Sequence, residues 1–251
     1  MKPTLMTAPM QHLGRKREIM SKLYKIAGLT VQMEIEGRTD VQAEPYRIFE
    51  DLKPDMVMDC DYRAYYAKYP NLELDDARYV SAAIEFYYRL IDFDGLMLHS
   101  SAVVVDNKAY LFSAASGTGK STHTKLWLEK FGDRAFILND DKPALRLIDG
   151  VWYACGTPWS GKHDISKPVC VPLAGIAFLY RDTTNHIEPF KGAMVPFELL
   201  NQMSRSKDKI NRILELLDQL VSQIPVWKLY CNMEPEAADV SYNAMSGNVK
   251  E

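Results

Sequence analysis

One short stretch constrains this chain more than any other: Ala114-Ala115-Ser116-Gly117-Thr118-Gly119-Lys120-Ser121-Thr122. Small residues let successive backbone N–H groups converge on an anion without Cβ atoms in the way. Lys120 adds a point charge for the outer phosphates of a nucleotide, and the Ser121 hydroxyl is placed to meet a magnesium ion. The strict form of such a loop has glycine six positions before the lysine, where this chain has Ala114; Gly117, Gly119, Lys120 and Ser121 keep the rest. The candidate phosphate-binding residues are Ala115, Ser116, Gly117, Thr118, Gly119, Lys120, Ser121 and Thr122. Such a loop needs a strand before it and a helix after it, because the helix N-terminus turns free N–H groups and a positive dipole end toward the same phosphates.

The flanks supply both. Tyr110-Leu111-Phe112 is apolar and strand-like, and Ser121 to Phe131 reads as a short helix closed by Gly132. Ser101 to Val105 and Lys108 to Phe112 flank Asp106-Asn107, a tight-turn pair, so the loop is expected to be entered from an antiparallel hairpin. Beyond the helix, Ala135 to Leu138 reads as a buried strand ending at Asn139-Asp140-Asp141. Leu145 to Ile148 and Val151 to Tyr153, joined by Asp149-Gly150, form a second hairpin. A glycine-framed loop, Gly156 to Asp164, then leads to a strand over Gly175 to Tyr180.

Elsewhere the signals are those of a packed α/β chain. Leu29 to Glu36 and Asp55 to Met58 are candidate strands. Asp75 or Asp76 can cap a helix whose apolar face runs through Ala82, Phe86, Tyr87, Leu90 and Ile91, with Phe86-Tyr87-Tyr88 as core packing. Ile210, Ile213, Leu214, Leu217, Leu220, Val221 and Ile224 form a helical stripe that stops at Pro225, followed by a strand at Val226 to Cys231 and a helix from Pro235 to Met245. Residues 1–21, with the basic cluster Arg15-Lys16-Arg17, read as a loosely ordered segment; residues 22–246 read as a single α/β domain, 22–94 preceding a nucleotide-binding core at 95–246.

Composition narrows the partners. With 47% hydrophobic residues in 251 the chain can bury a substantial core, and its net charge of −3 offers no nucleic-acid footprint. Apolar runs such as Gly175 to Tyr180 are of strand length, too short to span a membrane. Cys60, Cys155, Cys170 and Cys231 show no metal-ligand spacing and read as buried reduced thiols, which with the missing signal-like segment gives a cytoplasmic expectation.

Asp140 and Asp141 stand about twenty residues past Lys120 at a strand end. Adjacent residues there point in different directions, so one can hold metal while the other takes a proton. Read without the loop upstream, the pair is an aspartate-rich turn helped by Pro143.

His99, the loop Ser116 to Ser121 and the Asp140-Asp141 pair resemble HPr kinase/phosphorylase and the nucleotide-binding part of phosphoenolpyruvate carboxykinase, which shares that fold. The run from His99 through Gly156-Thr157-Pro158-Trp159-Ser160-Gly161 is closer still to small HPr-kinase-like proteins, some of them encoded beside genes for modified peptides. The resemblance covers about residues 95–245 and implies an α/β fold with a mixed sheet and a P-loop entered from a hairpin. It further implies Asp140 as the general base, Asp141 as a metal ligand with Ser121, and Lys120 and His99 near the phosphates, although a histidine at a strand start also serves as a purely structural residue. The acidic segment that holds a second metal in HPr kinase/phosphorylase has no equivalent; Lys162, His163 and Asp164 occupy that region. Lys162 is a candidate for neutralising substrate charge or a solvated loop lysine, and Trp159 a candidate pocket wall or a core residue between strands.

The implied function is magnesium-dependent transfer of a terminal phosphoryl group, from ATP or else GTP or pyrophosphate, to a hydroxyl on a peptide, a protein or a small molecule. A carboxykinase-like enzyme and a nucleotide-gated binding module are the alternatives. The family's hexamer makes a homo-oligomer an open expectation; neither nucleic acid nor membrane is an expected partner.

Overall fold

The computed structural model of the protein describes residues 22–247, so the expectations for residues 1–21 and Arg15-Lys16-Arg17 lie outside the described residues. The chain first forms β1 (Lys22–Ile26), β2 (Leu29–Met33), α1 (Arg38–Ala43), β3 (Arg47–Ile48) and β4 (Met56–Met58). Helices α2 (Arg63–Lys68) and α3 (Leu74–Leu90) follow, then β5 (Gly95–Met97), β6 (Ser100–Val105), β7 (Lys108–Ser113) and α4 (Lys120–Phe131). Strands β8 (Ala135–Asn139), β9 (Ala144–Ile148), β10 (Val151–Cys155), β11 (Cys170–Arg181) and β12 (His186–Pro189) come next. The described chain closes with α5 (Met194–Asn201), α6 (Ile210–Gln223), β13 (Val226–Cys231) and α7 (Glu236–Met245).

Two mixed sheets result. Strands β1 to β4 form a small one, in the order β3-β1-β2-β4, with β2 and β4 parallel. The large sheet runs β5-β9-β10-β11-β7-β6-β8 and branches at β11, which also pairs with β13. Strand β11 joins the two parts: its first residues pair antiparallel with β10, and the remainder runs parallel to β7 on one side and β13 on the other. The strand is twice the length expected, reaching back to Cys170 through Pro172, because pairing with β10 extends it across a proline that interrupts the strand signal of its own sequence.

Strands β6 and β7 are buried on both faces, and their alternation sorts the residues between two helical layers. Val103, Val105, Tyr110 and Phe112 join Trp127 of α4 and Ala237 and Ala238 of α7 in one core. Ala102, Val104, Ala109 and Leu111 join Leu199 of α5 and Leu216, Leu217 and Leu220 of α6 in another. Leu214, placed in the α6 stripe by its spacing, is 46% exposed, since it falls just off that face. The turn Asp106-Asn107 has both residues in the left-handed region (φ 49° and 60°), which matches the twist of paired strands.

The third core places the small sheet against α3 and takes in Ala144, Cys155 and Trp159 from the other side. Phe86 and Tyr87 are buried there, whereas Tyr88 is exposed and donates a hydrogen bond to Asp208. Neither Asp75 nor Asp76 caps α3: Glu73 holds that place, and the Asp75 carboxylate instead accepts the Arg38 backbone N–H. A partner from α1 outcompeted the local cap.

The cysteine expectation is corrected as well. Cys155 and Cys170 face each other in the β10–β11 register and are joined by a disulfide; Cys60 is half-buried and Cys231 buried, both free. Strand register created the pair, and no sequence spacing could announce it. The cysteines therefore no longer support a reducing compartment. The link closes 15 residues, for which chain entropy gives about 3 kcal/mol of stabilisation. Dithiothreitol should accordingly lower the urea midpoint by a corresponding amount, and identical midpoints in oxidised and reduced protein would contradict the link.

Candidate active site

The turn from β7 into α4 is shaped by backbone requirements. Gly119, the residue before α4, has φ 122°, a conformation that side-chain-bearing residues rarely adopt, while an added Cβ would meet nothing within 4 Å. Glycine is needed there for conformation, and its bareness leaves the N–H groups of the helix start open. The Lys120 side chain is largely buried inside the loop, its ammonium donating to the Ala114 carbonyl at 2.9 Å and, more weakly, to that of Ala115 at 3.5 Å. An ammonium has three donors, so at least one remains for a ligand. Burial lowers the Lys120 pKa, opposed by the carboxylates of Asp141 and Asp140.

Asp140 and Asp141 leave the end of β8 in different directions, and a buried polar frame holds them. The Asn139 side chain accepts the Asp141 and Lys142 backbone N–H groups (3.0 and 2.7 Å) and donates to the Thr157 carbonyl (3.0 Å). Tyr87, from α3, donates to the Lys142 carbonyl. The Asp140 side chain is only 6% exposed; one oxygen accepts the Ser101 hydroxyl at 2.7 Å, and the other meets His163 Nδ1 at 3.1 Å. Ser101 also contacts Thr124 on α4 (2.9 Å), so a chain of hydroxyls ties this carboxylate to the helix that carries the loop. Asp141 pairs with His99 Nε2 (3.2 Å) and with Lys142. Burial alone would raise its pKa, but the hydrogen bond from His99 and the charge of Lys142 outweigh burial and hold it at about 2. Asp141 is therefore an anion throughout the working pH range.

His99, Ser116, Gly117, Gly119, Lys120, Ser121, Thr122, Asp140, Asp141 and Lys162 thus line one cavity of about 420 Å³, together with Gly161 and His163. Ala115 is exposed beside it, its carbonyl accepting the Thr118 N–H, and Thr118 faces a neighbouring cavity. Trp159 does not reach the cavity. Fully buried, it stacks on Phe86 (centroids 4.9 Å apart) and meets Tyr87 edge-on, so its place as a pocket wall is corrected to a core residue. The reason is tertiary: α3 covers the face on which the indole emerges.

Residues that carried no motif complete the arrangement. Arg38 donates to the Gly161 carbonyl and Tyr79 accepts the Gly161 N–H (3.1 Å), so the first third of the chain braces the loop bearing Lys162 and His163. A Cβ at Gly161 would lie 2.8 Å from that of Asp141, so the loop can approach this close only with glycine there. Ser101 and His163 gave no signal in the sequence because they reach Asp140 across 39 and 23 residues.

His123, on the buried side of α4, donates or accepts at Ser241 (3.0 Å) and has its pKa lowered to about 4 by burial. The folded state thus keeps it neutral, while the unfolded chain takes up a proton near 6.5. Its contribution to stability is full above pH 6.5 and falls away as pH drops to about 4, by about 3 kcal/mol in all. Denaturation midpoints measured from pH 7 to pH 4 should fall in wild type and flatten in His123→Gln.

These features define an α/β protein with a phosphate-loop-like turn and two aspartates facing it across a cleft. No family model matches the chain, and no curated protein matches it. Among solved structures it is similar to the HPr(Ser) kinase/phosphatase from Coxiella burnetii, with 10% identity, a TM-score of 0.33, and 61% of this chain and 93% of that chain covered. Among the described residues no helix is long and apolar enough to cross a membrane, and no three His, Cys, Asp or Glu side chains cluster as a metal site.

Proposed function

We propose that the protein is a magnesium-dependent phosphotransferase that moves the terminal phosphoryl group of a nucleotide, ATP in the first instance, onto a hydroxyl of a peptide, a protein or a small molecule. The observation that carries this reading is that Lys120 and Asp140, twenty residues apart, line one cavity. The 22–246 segment acts as one α/β unit, its P-loop entered from the β6–β7 hairpin and its first 70 or so residues bracing the acceptor loop.

The residues fit a magnesium ion of the kind bound with phosphates, which needs only one or two protein oxygens because phosphate and water oxygens complete its shell. Ser121 and the ionised Asp141 would hold it, and it would neutralise charge on the outer phosphates. His99 and Lys142 orient the Asp141 carboxylate. Lys120 meets the outer phosphates, and Lys162 offsets charge on the acceptor side. Asp140 accepts the acceptor's hydroxyl proton as the new oxygen–phosphorus bond forms and the bond to the nucleoside diphosphate breaks. Ser101 and His163 keep its two oxygens aimed, and neither Ser101 nor the buried Asn139 frame needs to move.

The test is transfer from terminally labelled Mg-ATP to fractions of a cell extract separated into small molecules, peptides and proteins. Label in one fraction establishes the kinase and its acceptor class. Tight nucleotide binding without any transfer would replace this reading with a nucleotide-gated module, and turnover that depends on oxaloacetate would replace it with a carboxykinase.

A further inference from the structure

A cavity of about 510 Å³ lies between α2, α3 and the segment 204–206 that follows α5, and it shares no residue with the cavity at the phosphate loop. Its size is within the roughly 300–1,000 Å³ of small-molecule sites. Ala64 and Tyr65 of α2 and Ile84 and Tyr88 of α3 give it apolar walls. Helix α2 buries none of its side chains, and Ile84 and Tyr88 are 47% and 39% exposed, so the protein's own core leaves this apolar surface unused. The wall from the 204–206 segment is tied to α3, because the Tyr88 and Ser206 hydroxyls both donate to Asp208.

The polar groups of the cavity divide into engaged and unengaged. Glu85 accepts the Asp59 and Cys60 backbone N–H groups (3.1 and 2.8 Å) and Arg89 Nε (2.9 Å), and Asp61 accepts the Arg63 N–H (3.0 Å). The two basic side chains, Lys68 and Arg205, meet no carboxylate among the described residues; Lys68 reaches only the Tyr69 ring, 5.3 Å from its centroid. Ser81, three residues before Ile84 on α3, is 8% exposed, yet its hydroxyl has no hydrogen-bond partner among the described residues. A buried hydroxyl seldom stays unpaired, and this one belongs to the cavity wall, where a ligand can supply the bond. We propose that the cavity is a binding site for a small organic carboxylate with an apolar or aromatic body. The body lies between Tyr65, Ile84 and Tyr88, the carboxylate meets Lys68 and Arg205, and the Ser81 hydroxyl pairs with a polar atom of the ligand. The cations are the unpaired charges at this site while the acids are already satisfied, so an anion is favoured over an amine. Tyr87, buried in the wall, also holds the Lys142 carbonyl beside Asp141, which places the ligand one side chain away from the aspartate frame. Binding here does not depend on the phosphotransferase reading of the loop.

Calorimetric titration of the full chain with phenylbutyrate, and with phenylbutanol as the same body without the charge, tests this. The carboxylate should bind about ten- to hundredfold more tightly than the alcohol, the range that charge-assisted hydrogen bonds supply. Lys68→Gln/Arg205→Gln protein should lose that margin and bind the alcohol as wild type does. Ile84→Glu, at an exposed position, should bind neither probe and melt at the wild-type temperature. Equal affinity for the two probes in wild type, or binding of neither, would overturn the site, as would an undiminished margin in the double variant. A wild-type dimer that Ile84→Glu dissolves would assign the face to a second copy of the chain and overturn it too.

Discussion

Asp140→Asn protein should lose about 10²–10⁴-fold in phosphoryl transfer while binding Mg-ATP almost as tightly as wild type, because a general base contributes on that scale and touches no part of the nucleotide. The substitution is close to isosteric, so the carboxamide still accepts the Ser101 hydroxyl and the 6%-exposed site stays filled. What disappears is the ability to take a proton. Single-turnover transfer and equilibrium nucleotide binding, measured side by side, separate that from a general disturbance of the cleft. Wild-type turnover in Asp140→Asn would remove the base assignment. His163→Ala gives a graded companion: it frees one Asp140 oxygen without changing the charge of the carboxylate, so a smaller loss is expected, seen in turnover more than in nucleotide affinity.

Trp159→Ala should be the most damaging single change to stability, at about 3–5 kcal/mol. The indole is wholly buried, stacked on Phe86 and edge-on to Tyr87, in the core where α3, the small sheet and the large sheet meet. Truncation leaves a cavity under the loop that carries Gly161 and Lys162, and it loosens Tyr87, which holds the Lys142 carbonyl beside Asp141. For a chain of this length the melting temperature should fall by roughly 10 °C. The Trp159 N–H has no hydrogen-bond partner among the described residues, so Trp159→Phe forfeits volume and contact but no bond to them, and should cost markedly less. Equal melting temperatures for wild type and Trp159→Ala would show that the loop does not depend on this core.

Much of the local structure was legible because its causes are local. Asp106-Asn107 and Asp149-Gly150 accept left-handed backbone that few residues tolerate, so each announces the tight turn between its strands. Gly132 ends α4 for the same reason, and the spacing of Ile213, Leu217 and Leu220 marks the buried face of α6. The run from Ser116 to Ser121 singled out a phosphate-loop candidate because its small residues and its lysine lie side by side. Where an outside partner competed with a local signal, the reading failed: Asp75 went to Arg38 instead of capping α3, and β11 grew backward along β10 through Pro172.

By itself the sequence determined the turns, the helix faces, the candidate loop and the aspartate pair, since each depends on neighbours a few residues away. Tertiary structure alone decided that Lys120 and Asp140 share a cavity, that Ser101 and His163 grip the carboxylate, that Cys155 meets Cys170, that Trp159 lies in the core and that Arg38 braces a loop 123 residues distant. Those contacts depend on strand order and register across the whole sheet, and residue spacing along the chain carries no record of either.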